Sequence, residues 1–190
     1  MNRLWALLFV IGAAGFALSS PFLLRRVGEA GLPLPPAALL ALQLVQTLLL
    51  LAIAAYGGAR LCGGVGLDAP WLRAIAARQE RPPDFASMVI EALAAGSVAA
   101  VAARAIVPLS AWKPLEAGFW TRVSGAFYGG TVEEILLRWG LLTALMVLFR
   151  GARAGTSGFW PANAGAALIF GALHVPVLRL SGVPVSAGAA

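Results

Sequence analysis

The chain has 190 residues, of which 60% are hydrophobic and only 12% charged, and its mean hydropathy is +0.85. This excludes an ordinary soluble domain, where about a quarter of residues are charged, and it excludes a disordered chain, which could not be so apolar. The net charge of +6 comes from thirteen arginines and Lys113, most of them at the ends of apolar runs. That placement suits topology and headgroup contact. With no soluble surface to carry a basic face, no nucleic-acid partner is expected, and membrane lipid is.

The apolar runs are long and continuous rather than short and alternating, which predicts helices and not a barrel. The first run is Leu4–Leu24, preceded by Asn2 and Arg3 and followed by Arg25 and Arg26. It is long for the hydrophobic region of a signal peptide, and Ala17-Leu18-Ser19 matches a cleavage site poorly. Pro33, Pro35 and Pro36 mark a turn before the second run, Ala37–Tyr56. That run is long enough to cross about 30 Å of hydrocarbon.

Gly57–Pro83 is the longest polar connection, with Gly57-Gly58, Gly63-Gly64, Asp68, Pro70, Arg60, Arg73, Arg78 and Arg81. Within it, Trp71, Leu72, Ile75 and Ala76 have helical spacing and predict a short interfacial helix. The third run, Phe85–Val107, carries Glu91 and Arg104 near its ends, where their side chains can snorkel. Trp112, Lys113 and Trp120 in Pro108–Thr121 are the residues of a membrane interface. The fourth run is Arg122–Phe149. Arg150–Trp160 joins it to the fifth, Pro161–Leu178.

The expected fold is therefore all-α: a polytopic transmembrane helical bundle of about five membrane-spanning segments plus a short interfacial helix. Residues 1–190 form a single integral membrane domain, with no internal repeat. Seven basic residues (Arg3, Arg60, Arg73, Arg78, Arg81, Arg150, Arg153) fall on the N-terminal side of such a bundle. Five (Arg25, Arg26, Lys113, Arg122, Arg179) fall on the other. The excess places the N-terminus in the cytoplasm.

The fourth run is the unusual one. After Gly125, Gly129 and Gly130 it holds Glu133, Glu134 and Arg138, and the fifth run holds His174, the only histidine. A charge in hydrocarbon costs at least about 2.5–3.5 kcal/mol. On an α-helix, residues four apart lie within about 40° of each other and adjacent ones about 100° apart. Glu134 and Arg138 thus form an i,i+4 pair in the favourable order, acid before base. Glu133, about 140° from Arg138 on the same geometry, has no partner in its own helix and is left available for general acid–base work. Phe170 sits one turn before His174 on the same face and can orient the imidazole. Pro176 predicts a kink close by.

Glu133-Glu134-Ile135-Leu136-Leu137-Arg138 fits EExxxR, and Phe170-Gly171-Ala172-Leu173-His174 fits FxxxH. In this order, in separate apolar segments, the two resemble the first two motifs of the CAAX protease and bacteriocin-processing (CPBP, or Abi) family of intramembrane glutamic endopeptidases. The resemblance covers about Gly125–Pro176, within a motif-bearing core of about residues 119–180. It implies that Glu133 and His174 hold and activate a water that attacks a peptide carbonyl, with Glu134, Arg138 and Phe170 supporting them. It also implies a membrane-associated peptide or protein as substrate and residence in the bacterial inner (plasma) membrane. Prenylated C-termini, bacteriocin precursors and C-terminal sorting helices are candidate substrates. No cofactor is expected: one histidine and no nearby cysteine leave too few ligands for a full metal site.

Two departures stand out. Leu137-Arg138-Trp139 occupies the place where the family often has Phe-Arg-Gly. The family's third motif is a histidine with Asn or Asp four residues on, assigned to stabilising the oxyanion, and it has no counterpart after His174. Three explanations stay open: a chain truncated at the C-terminus, a different oxyanion donor, or a non-catalytic membrane protein of the same fold, such as an immunity or assembly factor. A transporter has less support, because no repeat is evident.

Overall fold

Proline's fixed φ suits the first position of a helix, where its missing N–H costs no bond. Pro36 opens the longest helix in this way. The computed structural model describes residues 2–29, 35–79, 84–106, 118–150 and 158–180, and the regular structure among them is all helical. In chain order it comprises α1 (Asn2–Leu18), α2 (Ser20–Glu29), α3 (Pro36–Leu61), a 3-10 turn (Cys62–Val65), α4 (Pro70–Ala76) and α5 (Phe85–Ile106). Then come α6 (Phe119–Phe127), two π-helical stretches (Tyr128–Glu133 and Ile135–Leu142), α7 (Thr143–Arg150) and α8 (Phe159–Leu180). The protein is all-α, as its apolar runs predict. Arg81, Lys113 and Arg153 lie outside the described residues, as do the side chains of Arg26, Arg104, Arg150, Pro176 and Arg179.

Among the described residues one helical stretch, Pro36–Val65, is both long and apolar enough to cross a membrane. Arg3–Leu18, Ala86–Ala102 and Phe159–Val175 are apolar but shorter. The chain divides into two compact units, Met1–Asp68 with Phe119–Ala190, and Ala69–Gly118.

In the smaller unit, α4 carries Trp71, Leu72, Ile75 and Ala76, the residues whose spacing predicts a helix there. Asp84 starts α5: its carboxylate accepts from the Ala86 N–H at 3.0 Å and its carbonyl from the Ser87 hydroxyl at 3.1 Å. This is the service an N-cap side chain gives to unpaired amides. From Ile90 to Ala102 every residue of α5 is exposed, including Ile90, Leu93, Val98 and Val101 at 66–70%.

In the larger unit the helices depart from the runs in three places. The first run is one apolar stretch to Leu24, but the helix breaks at Ser19, between α1 and α2. Pro21 cannot donate to the preceding turn, and the buried Ser19 hydroxyl donates to the Phe16 carbonyl at 2.6 Å, competing with the helix ladder. At the second site, α3 runs past Tyr56, through Gly57 and Gly58, to Leu61. Glycine pairs usually end a helix, but Gly58 is buried under Trp139, and a Cβ there would collide with the indole.

The third departure is the largest. From Phe119 to Arg150 the chain is one uninterrupted helical rod, but its middle is π-helical rather than α-helical. A π-helix bonds i→i+5 and occurs mostly as short insertions, often at functional sites. Because it is wider, it advances less per residue. The α-helical rotations that separate Glu133 from Glu134, about 100°, and from Arg138, about 140°, do not hold here, and residues five apart come closer to one face.

Small residues let the neighbouring backbones approach the rod. Gly15 of α1 lies against Thr131, and Gly12 against Leu51 and Ile135. A Cβ on Gly140 would come within 2.6 Å of the Ala54 Cβ. Ala54-x-x-x-Gly58 on α3 thus meets Trp139-Gly140 on the rod, the small-xxx-small packing by which helices associate in lipid. Trp5 stacks edge-on against Tyr56, with ring centroids 6.2 Å apart, and Phe16 approaches Tyr128 at 6.4 Å. These pairs run α1 antiparallel to both α3 and the rod. The other face of α3, with Leu42, Val45, Leu49 and Ile53, is exposed at 60–65%. At the far end of the rod, Leu142 and Met146 bury themselves against Ala162 and Ala166 of α8, with Leu145, Phe149 and Phe159 around them. That contact lays α8 antiparallel along the rod, so its C-terminal half runs back toward the glutamates.

Candidate active site

Glu133 and His174 face each other. The contact between Glu133 Oε1 and His174 Nε2 is 3.7 Å, with the side chains 26% and 42% exposed. Two features of the rod and α8 bring this about. The anchor at Leu142, Met146, Ala162 and Ala166 fixes the register of α8. The shortened advance of the π-helical stretch then draws Glu133 level with His174.

The histidine is held from behind. Its Nδ1–H donates to the Phe170 carbonyl at 2.9 Å. A backbone carbonyl can only accept, so Nδ1 carries the proton, and in the neutral ring Nε2 is left as the acceptor. The Phe170 ring packs edge-on against the imidazole with centroids 4.2 Å apart and planes at 62°. Phe170 therefore contributes twice, through its carbonyl and its ring. Sequence spacing accounts for only the second. α8 continues as a helix past Pro176 to Leu180.

The carboxylate of Glu133 is spread between two neighbours. Oε1 points to His174, while Oε2 lies over Gly129, where a Cβ would be 3.4 Å away. At 3.7 Å, Oε1 and Nε2 are too far apart for a direct hydrogen bond. They are close enough for one water, about 2.8 Å from each, to touch both.

Glu134 and Arg138 form the other pair. Arg138 Nε donates to Glu134 Oε2 at 2.8 Å, and the side chains are 74% and 50% exposed for arginine and glutamate respectively. The bridge lies along the rod and does not enter the Glu133–His174 contact. The i,i+4 pair expected from the sequence forms although Ile135–Leu142, which contains Arg138, is π-helical.

Three further polar residues, absent from the motif-based reading, cluster at the start of the π-helical stretch that carries Glu133. Tyr128 is half-buried. Its phenol is hydrogen-bonded by the side chains of Gln43 and Thr47 on α3, and it lies within the electrostatic reach of Glu133. Gln43, Gln46 and Thr47 are the polar residues of an otherwise apolar stretch before Tyr56, and Thr47 is buried. That isolation is the sequence signal that could have found them. Tyr128 has no such signal, because its five-residue offset from Glu133 matters only in a π-helix.

Among the described residues no group of three or more His, Cys, Asp and Glu side chains gathers. Cys62 is buried, with its thiol directed at the Ala59 carbonyl at 3.7 Å. Comparisons of the chain with protein-family models, with curated proteins and with solved structures find no match.

Proposed function

We propose that the protein is an intramembrane endopeptidase of the CPBP type, hydrolysing a peptide bond in a membrane-associated protein or peptide. The observation that carries this reading is the approach of Glu133 to His174, from two helices, at water-bridging distance. The EExxxR and FxxxH motifs that contain them support it. In this reading the chain crosses a bacterial inner membrane about five times, through α1, α3, α5, the Phe119–Arg150 rod and α8. The exposed apolar faces of α3 and α5 suit lipid as solvent, because a helix apolar on all sides belongs in a core or a membrane.

The chemistry follows from the tautomer. With Nδ1–H bound to the Phe170 carbonyl, Nε2 and the Glu133 carboxylate both accept from one water. As that water attacks the substrate carbonyl carbon, its proton passes to Glu133, and the carbonyl π pair moves onto oxygen. Collapse of the tetrahedral intermediate expels the amine, which takes the proton back from Glu133. General acid–base assistance of this kind contributes typically 10²–10⁴-fold. Glu134 and Arg138 neutralise each other nearby, so that neither enters the membrane as a lone charge.

The test is cleavage of candidate membrane-anchored peptides by the wild type, Glu133→Gln and His174→Ala, all reconstituted in lipid. Loss in both variants with unchanged membrane yield supports the reading, and full activity in either sinks it. A second reading follows from the same contact. When His174 is protonated, 3.7 Å is an ion-pair distance, and the pair would tie α8 to the rod in a non-catalytic immunity or assembly protein. That reading expects Glu133→Gln to lower thermal stability and the wild type to cleave nothing.

A further inference from the structure

The reaction proposed for Glu133 and His174 creates a negative oxygen, and a site that makes one needs a hydrogen-bond donor aimed at it. Losing such a donor costs about 10²–10³-fold in kcat. We propose that the Tyr128 hydroxyl is that donor, a catalytic residue in direct contact with the oxyanion, and that Gln43 and Thr47 are the positioning residues that hold it.

Four observations converge on Tyr128. It stands five residues before Glu133, at the start of the first π-helical stretch, so i→i+5 winding puts the two on nearly the same face of the rod. The Glu133 carboxylate reaches back toward it, with Oε2 lying over Gly129, the residue next to Tyr128. Gly129 and Gly130 carry no side chain between the phenol and the carboxylate, and beside Gly130 there is open space, with nothing within 4 Å of a Cβ position. A substrate backbone has room to approach there, as glycines allow. Finally, the phenol is held from α3. The Gln43 amide and the Thr47 hydroxyl bond its oxygen, and Phe16 packs near its ring. A phenol oxygen can accept from neighbouring groups while its one proton is donated.

The step balances as before. Water adds to the carbonyl carbon, its proton goes to Glu133, and the π pair becomes the oxyanion lone pair. Tyr128 O–H hydrogen-bonds that oxygen without giving up its proton, then releases it when the carbonyl re-forms and the C–N bond breaks. A preorganised donor of this kind needs no reorientation during the reaction, and the pair of α3 side chains supplies that preorganisation.

This inference rests on the endopeptidase reading, and the test separates the two. The full chain in lipid nanodiscs is assayed against a pool of internally quenched, membrane-anchored peptides, with kcat and KM resolved on the best-cleaved member. Tyr128→Phe keeps the ring and removes only the hydroxyl. It is expected to lose about 10²-fold in kcat with KM, membrane yield and thermal midpoint unchanged. Thr47→Val, which leaves the phenol in place but loosens it, is expected to lose a smaller part of kcat, again without a KM change. This second variant decides the matter if Tyr128→Phe fails to accumulate. Wild-type kcat in the decisive variant overturns the role of Tyr128, and so does a loss that tracks reduced yield or stability. The endopeptidase reading survives either result as long as Glu133→Gln stays inactive. A wild type that cleaves no peptide overturns both.

Discussion

The two adjacent glutamates of the rod have become parts of two unlike regions. On one side, Glu134 pairs with Arg138 four residues on, 2.8 Å away, with both side chains at least half exposed. On the other, Glu133 is about one-quarter exposed and meets a histidine from a different helix, 3.7 Å away. The first pair is local. It forms whenever the chain is helical, and it asks nothing of the tertiary fold. The second exists only because α8 is anchored along the rod and the rod is π-wound. Adjacent identical residues can therefore have unrelated physical origins, and only the non-local pair has the geometry to hold a water.

The largest test of this contrast is substitution at the non-local pair. Glu133→Gln and His174→Ala are each expected to reduce peptide cleavage about 10³-fold, within the range of general acid–base assistance, while Glu134→Gln costs less than tenfold. Side-by-side cleavage kinetics in lipid would break the comparison if the two glutamates proved equally important.

Packing comes next, because it sets the non-local contact. Gly58→Leu drives a side chain into Trp139 and is expected to destabilise by about 1–3 kcal/mol or more. Gly57→Ala, one residue away with nothing within 4 Å of its Cβ position, is expected to leave the thermal midpoint unchanged or raised. Unfolding curves in detergent compare them directly.

The local pair should behave as a unit. Glu134→Gln or Arg138→Gln alone leaves one unpaired charge and is expected to lower accumulation in the membrane fraction. The double variant is expected to restore it, as quantitative immunoblots of membranes would register. The smallest effect is expected at Thr143, whose side chain is wholly buried and whose hydroxyl has no hydrogen-bond partner. Thr143→Val removes an unsatisfied polar atom at nearly constant shape and is expected to stabilise by up to about 1 kcal/mol, read as a rise in thermal midpoint.

Much of this was legible in the residues themselves. The long apolar runs give helices, the pairing of Glu134 with Arg138 follows from spacing, and Phe170 sits one turn from His174 because both lie on one helix. Composition and local periodicity govern such features, since they depend on residues within a turn or two of each other. The break at Ser19 has local causes in Pro21 and the Ser19 hydroxyl, but the apolar run hides it. The continuation of α3 through Gly57 and Gly58 and the π winding at Tyr128–Leu142 are not legible from periodicity, and Gly58 and Gly140 meet neighbours distant in sequence, Trp139 and Ala54. The same is true of the site. The sequence by itself marks Glu133 and His174 as costly residues in apolar surroundings. Only the tertiary structure decides that they meet, and that Gln43 and Thr47 hold the Tyr128 phenol, because helix register along the rod is fixed by packing and not by spacing.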